Sequence, residues 1–490
     1  MASSDFAKPQ GQGSPHALKM ALERDGFIVQ EGTFKKVDLF AMYDAGLVPS
    51  CFANNAAAPY LIPLVPLSPG ETAPNLTGTE PNSLITDYPL VKEDKGLYME
   101  YFLRPDEAIV LVGKTPPEAT YFGFTSYLVR RYIPSKNAYK YIFGSLGDTA
   151  NNLTTATANS ANPYNQPVMF IATADSGINQ RVQAAAGTAG YPVDIINTRV
   201  LPAPLINLGL TGNPDSFLLL QRAALFANRA EQLAYYRNPG MTVFRITPRQ
   251  MTNLQPFDVP ELRVKGTGQT NELDLLRTQQ ELGQAILNKY SNLSARNLET
   301  RVAFKAGYDS IQRDTNALGD NRDTIYLRTK NFLLPDQPDN FVIVYGANHV
   351  TTGKALYSNF SVYGRKALNG VGSVDNTSFP TAEEFLPGNT YAKYFYVYKI
   401  ARQCGGNEDC LAIRTGPGAT GIPLNQPAFV AFRAYLERQT KVSPEFEELL
   451  YDQAIEFSPR PLDPEPIPRS PDLDDDEDED ELSDEEFTAK

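Results

Sequence analysis

Tryptophan is absent from the 490 residues, and histidine occurs only at His16 and His349. No His-Glu-x-x-His motif and no Cys/His zinc pattern occurs, and with His16 in the N-terminal arm any Ser/His or Cys/His catalytic arrangement would depend on His349. Without tryptophan, the 26 Tyr and 26 Phe must supply the large core aromatics. Only three cysteines occur, at Cys51, Cys404 and Cys410, too few for a disulfide framework and not spaced as a zinc site. No run of about 18 apolar residues exists, which excludes a transmembrane helix. The first residues, MASSDFAKPQGQGSPHALK, lack the apolar centre of a signal peptide.

Excess positive charge is missing as well. The formal net charge is −13, and residues 472–486 (DLDDDEDEDELSDEE) hold 12 acidic side chains and no basic one, leaving −1 for everything else. A near-neutral body has no basic footprint for nucleic acid and no polybasic cluster for an anionic membrane. The acidic stretch follows a proline-rich spacer and reads as a solvated tail. It lacks the alternating Asp–Gly geometry of a selective calcium loop.

What is present is a pattern that occurs twice. Phe102-Leu103-Arg104-Pro105-Asp106 precedes Ile109-Val110-Leu111-Val112-Gly113, and a loop leads to Ala119-Thr120-Tyr121-Phe122-Gly123-Phe124-Thr125-Ser126-Tyr127. In the second half, Phe332-Leu333-Leu334-Pro335-Asp336 precedes Val342-Ile343-Val344-Tyr345-Gly346. A longer loop then leads to Ala355-Leu356-Tyr357-Ser358-Asn359-Phe360-Ser361-Val362-Tyr363. The offset is 233 residues at the glycines and 236 at the tyrosines. Each apolar run has the length and β-branching of a buried strand. Each second element alternates, placing Tyr121, Thr125 and Tyr127 on one face and Phe122, Phe124 and Leu128 on the other. The short joining loops predict that each pair forms a hairpin.

The expected fold is mainly β with some α: two duplicated β-sandwich-like lobes joined by a helical connector. The expected divisions are an N-terminal arm over 1–35, lobe 1 over 36–212, a helical connector over 213–320, lobe 2 with C-terminal helices over 321–458, and a tail over 459–490. Within them, Asp215 as an N-cap followed by Leu219, Ala223, Phe226, Ala230 and Leu233 predicts a helix ending at Pro239-Gly240. Further helices are expected over 272–290, over 295–311, and from Ser443-Pro444-Glu445 to about Phe457.

The motifs that resemble chemistry fail on context. Val112-Gly113-Lys114-Thr115 lacks the first glycine of a P-loop and runs into Pro116-Pro117. Gly416-Pro417-Gly418-Ala419-Thr420-Gly421 is followed by prolines where a dinucleotide-binding helix should start. Gly144-Ser145-Leu146-Gly147 is misspaced for a nucleophile elbow. Cys404 and Cys410 enclose CGGNEDC, a polar loop suited to a disulfide, which would favour a secretory compartment over the cytoplasm.

The candidate catalytic residues are His349, Asn348 and Lys354, in the loop between the two repeated strands of the second half. That loop is longer than its counterpart, which has neither His nor Asn. Such groups could bind an anion or shuttle a proton. The candidate ligand-binding residues are Tyr121, Tyr127, Tyr357 and Tyr363, whose rings could stack on a ligand or fill a core. No metal or cofactor is expected. The expected function is that of a binding protein or enzyme for a small, largely neutral molecule held between the lobes or inside one. The alternative is a structural or assembly protein, such as a coat or surface-layer component. Oligomeric state and compartment are not readable.

Overall fold

A computed structural model describes residues 13–71, 96–159, 161–268 and 271–462. The acidic tail lies outside them. In chain order the first half runs α1 (Pro15–Arg24), β1 (Phe27–Lys36), α2 (Leu39–Asp44), β2 (Tyr60–Pro66), β3 (Leu97–Tyr98), β4 (Ala108–Lys114), β5 (Ala119–Ile133), β6 (Ala138–Ser145), β7 (Ala150–Asn151), β8 (Pro167–Thr173), α3 (Ser176–Thr188), β9 (Ile196–Val200), β10 (Ser216–Phe226), α4 (Arg229–Arg237) and β11 (Thr242–Pro248). The second half runs α5 (Leu276–Lys289), β12 (Ser294–Leu298), β13 (Thr300–Val302), α6 (Gly307–Arg313), β14 (Leu327–Thr329), β15 (Phe341–Ala347), β16 (Tyr357–Gly364), β17 (Asn369–Asp375), β18 (Phe395–Ala401), β19 (Cys410–Ala412), β20 (Ala428–Tyr435) and β21 (Gln453–Ser458). The protein is mainly β with some α.

The first half is one sheet of order β6-β5-β10-β2-β1-β11-β4-β8-β9. Its two ends share one core, in which Phe122, Phe124 and Leu219 meet Ile109, Leu111 and Phe170, so the sheet is curled on itself. The second half divides the same arrangement into two sheets, β13-β14-β20-β16-β17 and β12-β21-β15-β18-β19. They pack face to face through Phe360, Val362, Val430 and Phe432 against Val342, Val344, Tyr396 and Ile400. The difference lies in one strand. β1 is continuous, pairing with β11 over its first part and β2 over its last. Its positional counterpart is interrupted at Glu299, so β12 joins β21 and β13 joins β14. Helices α1 and α3 cover the outer face of β4, β8 and β11, and α5 covers the outer face of β15, β18 and β21.

Several expectations are corrected. The repeated strands do not form hairpins: β4 pairs with β8 and β11 while β5 pairs with β6 and β10. Likewise β15 pairs with β18 and β21 while β16 pairs with β17 and β20. In each half the loop crosses from one layer to the other, because the apolar strand is buried on both faces and already has two partners. The repeated glycines mark close approaches: a β-carbon on Gly113 would strike Gly240, and one on Gly346 would strike Asp452.

The connector over 213–320 is not helical throughout. It contains β10 and β11 of the first sheet, and β12 and β13 of the second half, besides α4, α5 and α6. Asp215 caps no helix; its carboxylate takes Arg131 at 3.0 and 2.7 Å and the Asn207 amide at 2.8 Å. In an apolar run such as Leu218-Leu219-Leu220, helical spacing is met by chance, and burial on both faces decides for strand. The helix starts later, capped by Asn228. The expected helix over 295–311 is β12, β13 and the start of α6. The expected C-terminal helix is a single turn, Phe446–Glu448, followed by β21 between β12 and β15. His16 lies in α1, not in an irregular arm.

The Cys404–Cys410 disulfide closes a loop of six residues' separation, with its Cα atoms 5.7 Å apart, directly before β19. Replacing both cysteines with serine is expected to lower unfolding stability by about 2 kcal/mol through loop entropy, read as a lower denaturant midpoint at unchanged slope. Among the described residues no helix is long and apolar enough to cross a membrane.

Candidate ligand-binding site

Strand alternation builds this site. On β5, β10, β16 and β20, one set of residues points into a core and the other toward the opposite half. Phe217, Leu219 and Ala223 of β10 are core residues, so Arg222 and Ala224 face outward. On β20, Val430, Phe432 and Ala434 are core, so Arg433 and Tyr435 face outward. Tyr121, Tyr127, Tyr357 and Tyr363 occupy the same outward faces of β5 and β16.

The two arginines make matching contacts. Arg222 donates from Nη1 to Tyr127 Oη at 2.7 Å and from Nη2 to the Gly319 carbonyl at 3.1 Å. Arg433 donates from Nη1 to Tyr363 Oη at 2.7 Å and from Nη2 to the Ala53 carbonyl at 2.9 Å. Tyr127 Oη donates to the Asp320 carbonyl and Tyr363 Oη to the Asn54 carbonyl, both at 2.8 Å. Arg222 lies over the Tyr60 ring at 5.2 Å, and Arg433 over the Tyr326 ring at 5.3 Å.

These contacts describe an exchange. Residues 51–54 precede β2 of the first half, yet Cys51 and Ala53 donate their amides to Ala367 and Leu368 of the second. Residues 317–320 precede β14 of the second half, yet Ala317 and Gly319 donate theirs to Ile142 and Phe143 of the first. Each arginine therefore clasps a segment supplied by the other half.

Aromatic rings fill the seam. Tyr435 lies between Tyr121, at 4.8 Å between centroids, and Tyr357, stacked at 4.9 Å. Burial pushes the phenols of Tyr121, Tyr127, Tyr357, Tyr363 and Tyr435 upward, so all are neutral at ordinary pH. Tyr60 and Tyr326 are less completely buried as residues than the other five, although burial still pushes the Tyr326 phenol well up.

Charge is distributed unevenly. Arg222 faces Asp320 and Asp323, both raised by burial, Asp323 to about 7. Asp323 accepts from Tyr121 Oη and Asn151 Nδ2, each at 2.9 Å. The positions matching these acids near Arg433 are Asn54 and Ala57, which carry no charge. Among the described residues neither arginine forms an ion pair within 4 Å, and each guanidinium uses two of its five donors.

The candidate catalytic residues lie elsewhere. His349 is buried with both ring nitrogens engaged: Nδ1 is 2.9 Å from Glu272 Oε2, and Nε2 is 3.3 Å from Asp452 Oδ2. Tyr396 Oη donates to Asp452 Oδ1 at 2.7 Å, and Thr352 Oγ1 donates to Glu272 at 2.5 Å. Burial works against the imidazolium, but the two carboxylates outweigh it and the histidine is pushed up to about 10. Lys354 Nζ sits between Glu437 at 2.8 Å and Glu448 at 2.6 Å. Asn348 Oδ1 accepts from the amides of Val350 and Thr351 within its own turn. The three residues share a loop but have separate partners. Cys51 is buried, and its thiol is pushed up to about 12 by burial. Among the described residues no cluster of three or more metal-ligating side chains is present.

Reading the sequence singled out the four tyrosines but missed Arg222, Arg433, Tyr60, Tyr326 and Tyr435. A second weak repeat carries them: Arg222-Ala223-Ala224-Leu225 matches Arg433-Ala434-Tyr435-Leu436, and Asn55 and Asn321 each precede Tyr60 and Tyr326 by five residues. An arginine inside an otherwise apolar strand was the available signal.

No family model matches the sequence. No curated protein matches it either. Among solved structures, an uncharacterised protein from Burkholderia cenocepacia is similar at 11% identity and a TM-score of 0.39, covering 90% of this chain and 84% of that one. The VPA0106 protein from Vibrio parahaemolyticus is similar at 11% identity and a TM-score of 0.36, covering 74% of this chain and 88% of that one.

Proposed function

We propose that this protein binds a small molecule at the seam between its halves, and that the ligand is a largely neutral, planar compound bearing one acidic group. The observation that carries this reading is the pair of buried arginines, neither within 4 Å of a carboxylate and each lying over a tyrosine ring. A guanidinium with unused donors in a low-dielectric setting favours an anionic oxygen, and the tyrosine faces favour a flat apolar frame. Arg433 is the better anchor, because no acidic side chain stands where Asp320 and Asp323 stand beside Arg222. We further propose that the halves arose by internal duplication. The matched strand orders and matched arginine contacts support that reading, and the seam would then be a site made by both copies.

A thermal-shift screen against small aromatic carboxylates is expected to find a compound that raises the melting temperature saturably. Arg433→Lys, which keeps the charge but not the forked geometry, is expected to weaken that compound about tenfold. Native mass of the protein from its own source, compared with its denatured mass, should show the same class of compound as lost mass. A bare chain together with a flat screen would sink the proposal.

A further inference from the structure

A second cluster of cations lies beside the seam. Arg199 of β9, Arg263 and Lys265 of the segment leading out of β11, and Arg322 of the segment leading into β14 lie near Asp148, whose carboxylate contacts Arg263 and Arg322. Arg322 donates from Nε to Asp148 Oδ1 at 2.7 Å, and from Nη2 to the Arg263 carbonyl at 2.6 Å. Arg263 donates its amide to Asp148 Oδ2 at 2.9 Å and approaches the same oxygen from Nη1 at 3.4 Å. Arg199 reaches only the Asp148 carbonyl, through Nη2.

The cluster is short of acceptors. Arg199 Nε is buried with no partner, and so is the hydroxyl of Tyr308 on α6. Those two residues lie near enough to influence each other's titration. Lys265 makes no hydrogen bond among the described residues; its ammonium lies 3.8 Å over the Phe304 ring. The other nearby acids are committed. Asp320 accepts from Ser145 N and Oγ and from Gly307 N. Asp323 is held by Tyr121 and Asn151, and Glu445 accepts from the Phe446 amide. Electrostatics agree: burial lowers Arg199 to about 10 despite Asp148 and Asp323, and burial and then Arg322 lower Lys265 to about 8. Burial is the largest cause of both shifts, and the nearby carboxylates do not offset it; a bound anion would add to their counter-charge. Arg263 is substantially exposed, and Arg322 and Asp148 are partly so.

We propose that Arg199, Arg263, Lys265, Arg322 and Tyr308 form a binding site for a phosphate-like oxyanion, distinct from the Arg222–Arg433 seam. Arginine forks and a tyrosine hydroxyl supply several donors to such a group, with Lys265 as a mobile point charge. The orphaned Arg199 Nε and Tyr308 Oη are the donors that an anion would satisfy.

The test is titration of the full chain with inorganic phosphate against chloride at matched ionic strength, followed by calorimetry and melting temperature. Saturable binding is expected. Arg199→Gln should weaken it at least about tenfold, the loss of one charged hydrogen bond, and Tyr308→Phe should weaken it without unfolding risk. Lys330→Met, which removes an exposed cation paired with Glu299, should leave phosphate affinity unchanged. Absence of a saturable response beyond that of chloride in the folded wild type overturns the site, as does equal affinity in Arg199→Gln and Tyr308→Phe.

Discussion

Replacing His349 with alanine is expected to destabilise the fold by about 3–5 kcal/mol at neutral pH, the cost of leaving buried charge unpaired. Glu272 stands at the turn that starts α5, and Asp452 stands just before β21. The imidazolium between them is the cation that both carboxylates face. Without it, Glu272 keeps the Thr352 hydroxyl and the Leu450 amide, and Asp452 keeps Tyr396. Neither retains a counter-ion, so α5 and β21 lose their common tie to the loop between β15 and β16. Chemical denaturation of wild type and variant gives the difference.

The same contact has a defined pH window. The two carboxylates push the folded-state pKa of His349 up to about 10, well above the ordinary histidine value near 6.5. A raised pKa contributes stability that is complete below the unfolded value and disappears as pH rises through the folded one. The histidine's part of the gap between wild type and His349→Ala should therefore be full below about pH 6.5 and shrink as pH rises toward 10. Glu272 shifts the other way: burial opposes its charge, but His349 and its hydrogen bonds outweigh burial and hold its carboxyl below the usual range. Its contribution is present above the unfolded carboxylate pKa and is lost as pH falls through the lowered folded value. A gap that stays constant from pH 6 to 10 would show that the histidine acts through packing alone.

The arginines of the seam give the second large effect, and it is asymmetric. Arg433→Met leaves the Ala53 carbonyl and the Tyr363 hydroxyl short of a donor, which should cost about 2–3 kcal/mol. Arg222→Met removes the equivalent bonds to Gly319 and Tyr127 and also the cation facing Asp320 and Asp323. Its expected cost is somewhat larger at neutral pH, because the two acids also lose a nearby cation that favours their charge. Removing Arg222 should also raise the two buried acids further, so its extra cost should fall away as pH drops and they are protonated. Urea unfolding of both variants at pH 7.5 and 5 checks the order and its pH dependence. Equal costs at both pH values would mean that the acids do not depend on Arg222.

Some of this was legible locally. Strict alternation through Tyr121-Phe122-Gly123-Phe124-Thr125 needs only the two-residue period of a strand, so β5 and β16 and the two faces of each were readable from the residues alone. The same holds for the apolar runs of β4 and β15, for α5 with its helical spacing, and for the Cys404–Cys410 loop, whose ends are too close in sequence to lie far apart. Those features depend on neighbours within a few residues.

Partner choice was not legible. In β10, eight of eleven residues are apolar, on both faces, so period could not separate strand from helix until two flanking strands buried both faces. Arg222 and Arg433 become a pair only when segments 51–54 and 317–320 cross to opposite halves. His349 meets acids 77 and 103 residues away in sequence, and no local pattern marks them. The amino-acid order by itself determined that the chain would be β-rich, repeated in its strands and free of histidine-rich or cysteine-rich metal motifs. Tertiary structure alone decided which layers those strands joined and which charges met, because the free energy of pairing a buried charge is realised only when the fold brings its partner to it.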